Sequence, residues 1–267
     1  MAPKEQLLAL SSGIGLAGLA VANFWDYGRE AIEVYKKEII ECVLKPKKET
    51  AIHHYLKFFQ NIEEVDMMWK NADLDKAYDF IVRILEEVNL KPNLPEPDFE
   101  SCDEEYGHYG CECNEIVEQW IAFVSENMEH IDELIKHSAF QFIFQDRKFL
   151  HDFHLELADL IEREMDYIKT NYSEYVTTKD RLRRKNFPAW LKQAVFYREK
   201  GTCAICRCDL SNLIRNQNQI HIDHIIPLNL FGTNDSSNMQ LLCEACNTSK
   251  GDRTTETSSI NVPFWNL

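Results

Sequence analysis

The 267-residue chain has no low-complexity tract, no internal repeat and little positive charge. The first two absences exclude disordered, fibrous and solenoid classes. What remains is a soluble globular protein with room for one large domain or two modest ones. With 29 Lys+Arg against 44 Asp+Glu, the net charge of −15 would argue against a nucleic-acid partner, since phosphate binding needs a basic surface. The shortage is uneven, however. Residues 179–267 hold 12 Lys+Arg and 8 Asp+Glu, a net of +4, so residues 1–178 hold 17 and 36, a net of −19. An acidic part is joined to a mildly basic one.

The cysteines do not come in an even set. All nine except Cys42 cluster, as Cys102, Cys111 and Cys113, as Cys203, Cys206 and Cys208, and as Cys243 with Cys246. Pairs spaced C-x2-C point to metal before disulfides, and a reducing cytoplasm is the simplest setting.

One apolar run approaches membrane length. Residues 7–25 (LLALSSGIGLAGLAVANFW) are 19 positions without a charge. They read as a packed core or interface helix, a membrane anchor or a cleaved signal. Ala20-Val21-Ala22 resembles a signal-peptidase site, but the basic n-region is only Lys4 offset by Glu5. Small residues at Ala9, Gly13 and Ala17 would let another helix approach closely.

The pattern is then helical to about residue 175. Apolar positions recur at three- and four-residue spacing over 26–44, 50–70 and 73–90. Val117, Ile121, Val124, Met128, Ile131 and Ile135 form a coiled-coil-like seam, and Leu150 to Ile168 mark a last long helix over 146–172. Between them, residues 90–114 are rich in Pro, Gly and acids and read as a long loop. Its Cys102, His108, Cys111 and Cys113 supply enough soft ligands for a second metal, yet the spacing matches no familiar knuckle. That question stays open at this point.

Composition changes at 178–186, where Arg181, Arg183, Arg184 and Lys185 read as a basic hinge or as phosphate contacts beside a nucleic-acid site. A helix over 187–199 follows, with Asn186 placed to cap it. Cys203-x2-Cys206 and Cys243-x2-Cys246 then form two knuckles of the kind that closes a structural zinc site. Between them lies HIDHIIP at 221–227, a short apolar strand carrying two imidazoles and a carboxylate. Alternation along a strand puts His221 and Asp223 on one face and His224 on the other. Met239-Gln240-Leu241-Leu242 reads as the return strand, and NTSKGDR as the start of a short helix.

The run C-x2-C … DHIIP … G-x5-N-x4-C-x2-C-N-x2-K resembles the HNH endonucleases, in the form whose ββα-metal module is braced by a four-cysteine zinc. The likeness covers about 60 residues, roughly 190–255. It implies that His224 is the general base, that Asp223 and Asn247 ligate a catalytic Mg²⁺ or Mn²⁺, and that Asn238 orients the base through a backbone hydrogen bond. His221 would support that ion, and Lys250 would contact phosphate. The expectation is therefore a mainly α protein with a small α+β module. Residues 1–177 would form an acidic, bundle-like helical domain with a regulatory or partner-binding role, and residues 178–267 a nuclease domain hydrolysing DNA. Modules resembling this one serve bacterial anti-phage defence and restriction systems. The competing reading is a zinc-ribbon-like adaptor that binds nucleic acid or protein without catalysis. Expected partners are DNA and a protein partner or sensor docked by the acidic region. Self-assembly and membrane association stay open.

Overall fold

The computed structural model describes residues 10–60, 73–102, 108, 110–211 and 219–258. The start of the 7–25 run and the second half of the expected 50–70 helix lie outside them. Two compact units form: Met1–Ala20 with Leu56–Phe140, and Val21–Tyr55 with Gln141–Leu267. Among the described residues the structure is mostly helical, with one two-stranded sheet.

In the first unit, helix α1 (Leu10–Ala22) buries Leu16, Ala17 and Ala20. At Gly13 an added Cβ would lie 2.3 Å from Ser138 Cβ, so only glycine permits this approach. No helix among the described residues is long and apolar enough to cross a membrane. Helices α5 (Leu74–Glu87), α6 (Glu112–Glu126) and α7 (Met128–Ile143) surround Ile81, Leu85, Val117, Trp120, Val124 and Ile131. The expected continuous seam breaks at Asn127, between α6 and α7. Val117, Val124 and Ile131, seven residues apart, are buried, whereas Ile121 and Met128 are exposed. One half of the heptad stripe faces the core, so the helices make a globular core and not a two-sided coiled-coil seam.

In the second unit, α2 (Phe24–Val34), α3 (Lys36–Val43) and the first turn of α4 (Ala51–Gln60) pack with α8 (Arg147–Arg163) and α9 (Met165–Asn171). Asp146 caps α8 by accepting from Phe149 N at 3.0 Å. Phe149, Leu150, Phe153, Leu157 and Ile161 then lie along one buried stripe. Phe24, Tyr55, Phe149 and Phe153 form an aromatic cluster in which Phe149 and Phe153 stack at 5.7 Å. The expected 146–172 helix is two helices, because Glu164 between them leaves helical geometry (φ −93°, ψ 10°).

The same unit contains α10 (Ala189–Arg198), β1 (Ile220–His224), β2 (Met239–Cys243) and α11 (Glu244–Lys250). The strands pair antiparallel, with Asp223 opposite Gln240 and His224 opposite Met239. Compaction therefore does not divide at 177/178: helices from residues 21–55 and 141–171 share a unit with the ββα module. Their hold on it is specific. Asn234 N donates to Val43 O at 3.0 Å and its side-chain amide to Leu44 O at 3.1 Å. Ser236 Oγ donates to Lys47 O at 2.6 Å, and Ala51 N donates to Asp235 Oδ2 at 2.7 Å. From α8, His154 Nε2 meets Ser237 Oγ at 2.9 Å, and Arg147 pairs with buried Glu199 at 2.5 Å while donating to Ala204 O.

The expected basic hinge is likewise an ordered turn. Val176 bridges Leu182, Arg183 N donates to Tyr175 O at 2.6 Å, and Asp180 sits at φ +56°. Asn186 does not cap α10. That helix starts at Ala189 behind Pro188, whose fixed φ suits a helix entry.

Candidate active site and metal centres

The zinc knuckles assemble as their spacing predicts. Ligand atoms of Cys203, Cys206, Cys243 and Cys246 all lie within 4.8 Å of one another, and the sulfurs of Cys206 and Cys243 are 3.7 Å apart. The first knuckle turns tightly: Arg207 N donates to Cys203 O at 3.0 Å, with Arg207 at φ +63°. Ala204 N donates to Leu241 O at 2.7 Å, which joins this knuckle to β2. In the second, Cys243 is the N-cap of α11 and its sulfur accepts from Cys246 N. Four thiols at this spacing fit a closed tetrahedral zinc site, and Cys208 is not among the four.

β1 ends at His224, and the chain folds back over its end. Asn238 fixes that return. Its backbone O accepts from Ile225 N at 2.7 Å and its side-chain O from Ile226 N at 2.9 Å. Its amide donates to Ile226 O and Thr233 O at 3.1 and 2.9 Å. Gly232 is required in the same turn, where a Cβ would sit 1.9 Å from Ile226 O. The motif glycine and asparagine thus lock the two residues that follow His224.

A cleft of about 330 Å³ opens at this end of the strand, lined by Asp223, His224, Asn247 and Arg184 among others. Strict alternation would separate Asp223 from His224. Both reach the cleft because the ribbon is only two strands wide and β1 terminates there, so the cavity wraps its end. Burial pushes the His224 pKa down to about 3, and the nearby charges of Arg184 and Lys250 push the same way against an Asn234 contact. The imidazole is therefore neutral at physiological pH. Its Nε2 makes no hydrogen bond, and its ring lies 5.5 Å from that of Phe187.

Lys250, expected at the phosphates, is instead buried. Its ammonium lies 2.8 Å from both Asp223 Oδ2 and His224 O, which leaves no exposed charge to meet DNA. His221 is not in the cleft either. It lines a neighbouring groove of about 680 Å³ with Arg184, Lys185, Lys192, Phe196 and Tyr197. Of the basic run, Arg184 borders both cavities, while Lys185 borders the groove and lies 4.2 Å over the Tyr175 ring. Arg181 stacks on Phe231 at 3.4 Å and Arg183 donates to Val176 O, so both brace the fold.

Several contributors carried no sequence motif. Lys192, Phe196 and Tyr197 reach the groove from α10, and their i, i+4, i+5 spacing was the only signal available. Asn234 and Asp235, buried behind the site, gave none.

No curated protein and no solved structure matches the chain. The family model for HNH endonuclease matches residues 203–253, from the first zinc-knuckle cysteine to just past α11. Knuckles, hairpin and helix thus constitute an HNH endonuclease domain.

Proposed function

We propose that this protein is a metal-dependent endonuclease that hydrolyses DNA phosphodiester bonds. The observation that carries the reading is the convergence of Asp223, His224, Asn247 and Arg184 on one cleft. Arg184 holds the anionic phosphate through charge-assisted hydrogen bonds. Neutral His224 accepts the proton of the attacking water, and the arriving phosphate offsets the Arg184 and Lys250 charges that add to burial in depressing its basicity. Asn238 clamps the backbone beyond His224, and Lys250 fixes the Asp223 carboxylate and the His224 carbonyl.

Asp223 and Asn247 supply oxygen donors of the kind Mg²⁺ or Mn²⁺ prefers, and they would hold a catalytic ion without His221. When bound, such an ion neutralises charge developing on the phosphate and the leaving oxygen. The four-cysteine site would hold zinc whose coordination is closed, so that metal braces the module. The adjoining groove, with three cations and exposed Tyr197, carries the strand away from the cleft, its bases stacking on aromatic faces.

Residues 1–177 are strongly acidic, and beyond the helices that brace the module we assign them a regulatory role in docking a protein partner or sensor. An effector role in bacterial anti-phage defence or restriction rests on family likeness alone. Cysteines arranged as metal ligands and not as disulfide pairs suit a cytoplasmic setting.

The test is cleavage of supercoiled and single-stranded DNA with Mg²⁺ or Mn²⁺. Metal-dependent nicking, lost in Asp223→Ala, is expected. DNA binding without cleavage under any metal would make the module a zinc-ribbon-like adaptor instead.

A further inference from the structure

We propose that Cys102, His108, Cys111 and Cys113 bind a second zinc ion, which staples the long acidic loop to the start of α6. One ligand atom from each of the four lies within 4.8 Å of all the others, the same closeness found in the four-cysteine knuckles. Three thiols and one imidazole are a Cys₃His set, one of the standard tetrahedral zinc combinations and poorly suited to Mg²⁺ or Ca²⁺. Each cysteine binds as thiolate, and its proton passes to solvent.

The surrounding structure arranges these ligands without the ion. Cys111 is the N-cap of α6 and Cys113 lies in its first turn, so helix geometry sets their spacing. Cys113 Sγ lies 3.4 Å from Asp98 O, which brings the loop's descending limb against the helix. The His108 ring meets the edge of Phe99 at 5.0 Å, and its Nδ1 lies 3.8 Å from Cys111 Sγ. Phe99 packs on Tyr78, and Trp120 Nε1 donates to Pro95 O at 2.8 Å, tying the same loop to the unit's core. Glu96, Asp98 and Glu112 border a hollow beside Cys102 and Cys113, and their charge favours a cation there.

A loop of this length with no regular element among its described residues calls for an anchor. A metal cross-link between Cys102 and the α6 N-terminus closes it at low entropic cost. The unusual C-x-C spacing, which matches no knuckle, is accommodated because the two cysteines straddle a helix start.

Zinc content of the purified full-length protein, measured by elemental mass spectrometry, tests the site. About two zinc ions per chain are expected, falling to about one in Cys102→Ser/His108→Ala. Cys203→Ser/Cys246→Ser should lose the other ion, which separates this site from the nuclease module. His108→Cys keeps four soft ligands and should retain both ions, which distinguishes lost ligation from lost folding. One zinc in the wild type, two retained in Cys102→Ser/His108→Ala, or a disulfide among Cys102, Cys111 and Cys113 would each overturn the proposal.

Discussion

Asp235 is the residue through which the helical scaffold most directly holds the catalytic loop, and replacing it by alanine has a calculable cost. Its carboxylate accepts from Ala51 N at 2.7 Å, from Ser237 N at 2.8 Å and from Ser237 Oγ. The hydroxyl keeps a second partner in His154. The two backbone N–H groups do not, and both would be buried and unpaired. At about 1–3 kcal/mol for each orphaned donor, Asp235→Ala should cost about 4 kcal/mol. For a chain of this size that corresponds to roughly 8–16 °C in Tm. Asp235→Asn keeps one acceptor oxygen but turns an NH₂ toward the other donor, so it should cost roughly half as much. Thermal or denaturant unfolding reads both values. If both variants lie within about 0.5 kcal/mol of wild type, residues 43–51 do not clamp the 233–238 loop, and the scaffold argument fails.

Other outcomes follow from the same geometry. Glu199→Gln leaves Arg147 and Arg198 buried beside a neutral amide and should destabilise by about 3–5 kcal/mol in denaturant unfolding. Burial raises the Asp235 carboxyl pKa, so its contribution is full below the unfolded value of about 3.9 and declines as pH rises through the folded value. The stability advantage of wild type over Asp235→Asn should accordingly shrink as pH rises, in paired unfolding curves. Lys250→Met should slow cleavage with DNA affinity and its salt slope unchanged, whereas loss of a phosphate contact would lower that slope by about one. Lys192→Ala should weaken single-stranded DNA binding with a reduced salt slope in a fluorescence titration, and an unchanged affinity would remove the groove from the strand's path.

Short-range signals were the legible ones. C-x2-C spacing marked the two halves of the zinc-capable quartet, and DHIIP with Asn238 marked the end of the hairpin, where Asn238 bonds Ile226 twelve residues back. The cleft's composition depended on where β1 stops, and strand alternation alone separated Asp223 from His224. Lys250 illustrates the limit most clearly. A lysine after a knuckle reads as exposed charge until the fold supplies a half-buried carboxylate 27 residues away. The 177/178 boundary followed the change in charge, but packing follows apolar faces. Phe24, Tyr55 and Phe153 belong with the module's unit despite the acidity of their surroundings. The Cys102, His108, Cys111 and Cys113 set was visible as ligands but not as a site for a related reason, since the four converge only after the loop folds onto α6.

The central claim is that His224 is the base of a phosphodiesterase. Initial rates of plasmid nicking with Mg²⁺ or Mn²⁺ should fall by about a hundredfold or more in His224→Ala, with zinc content and DNA affinity unchanged. A His224→Ala protein that nicks at the wild-type rate would contradict the account.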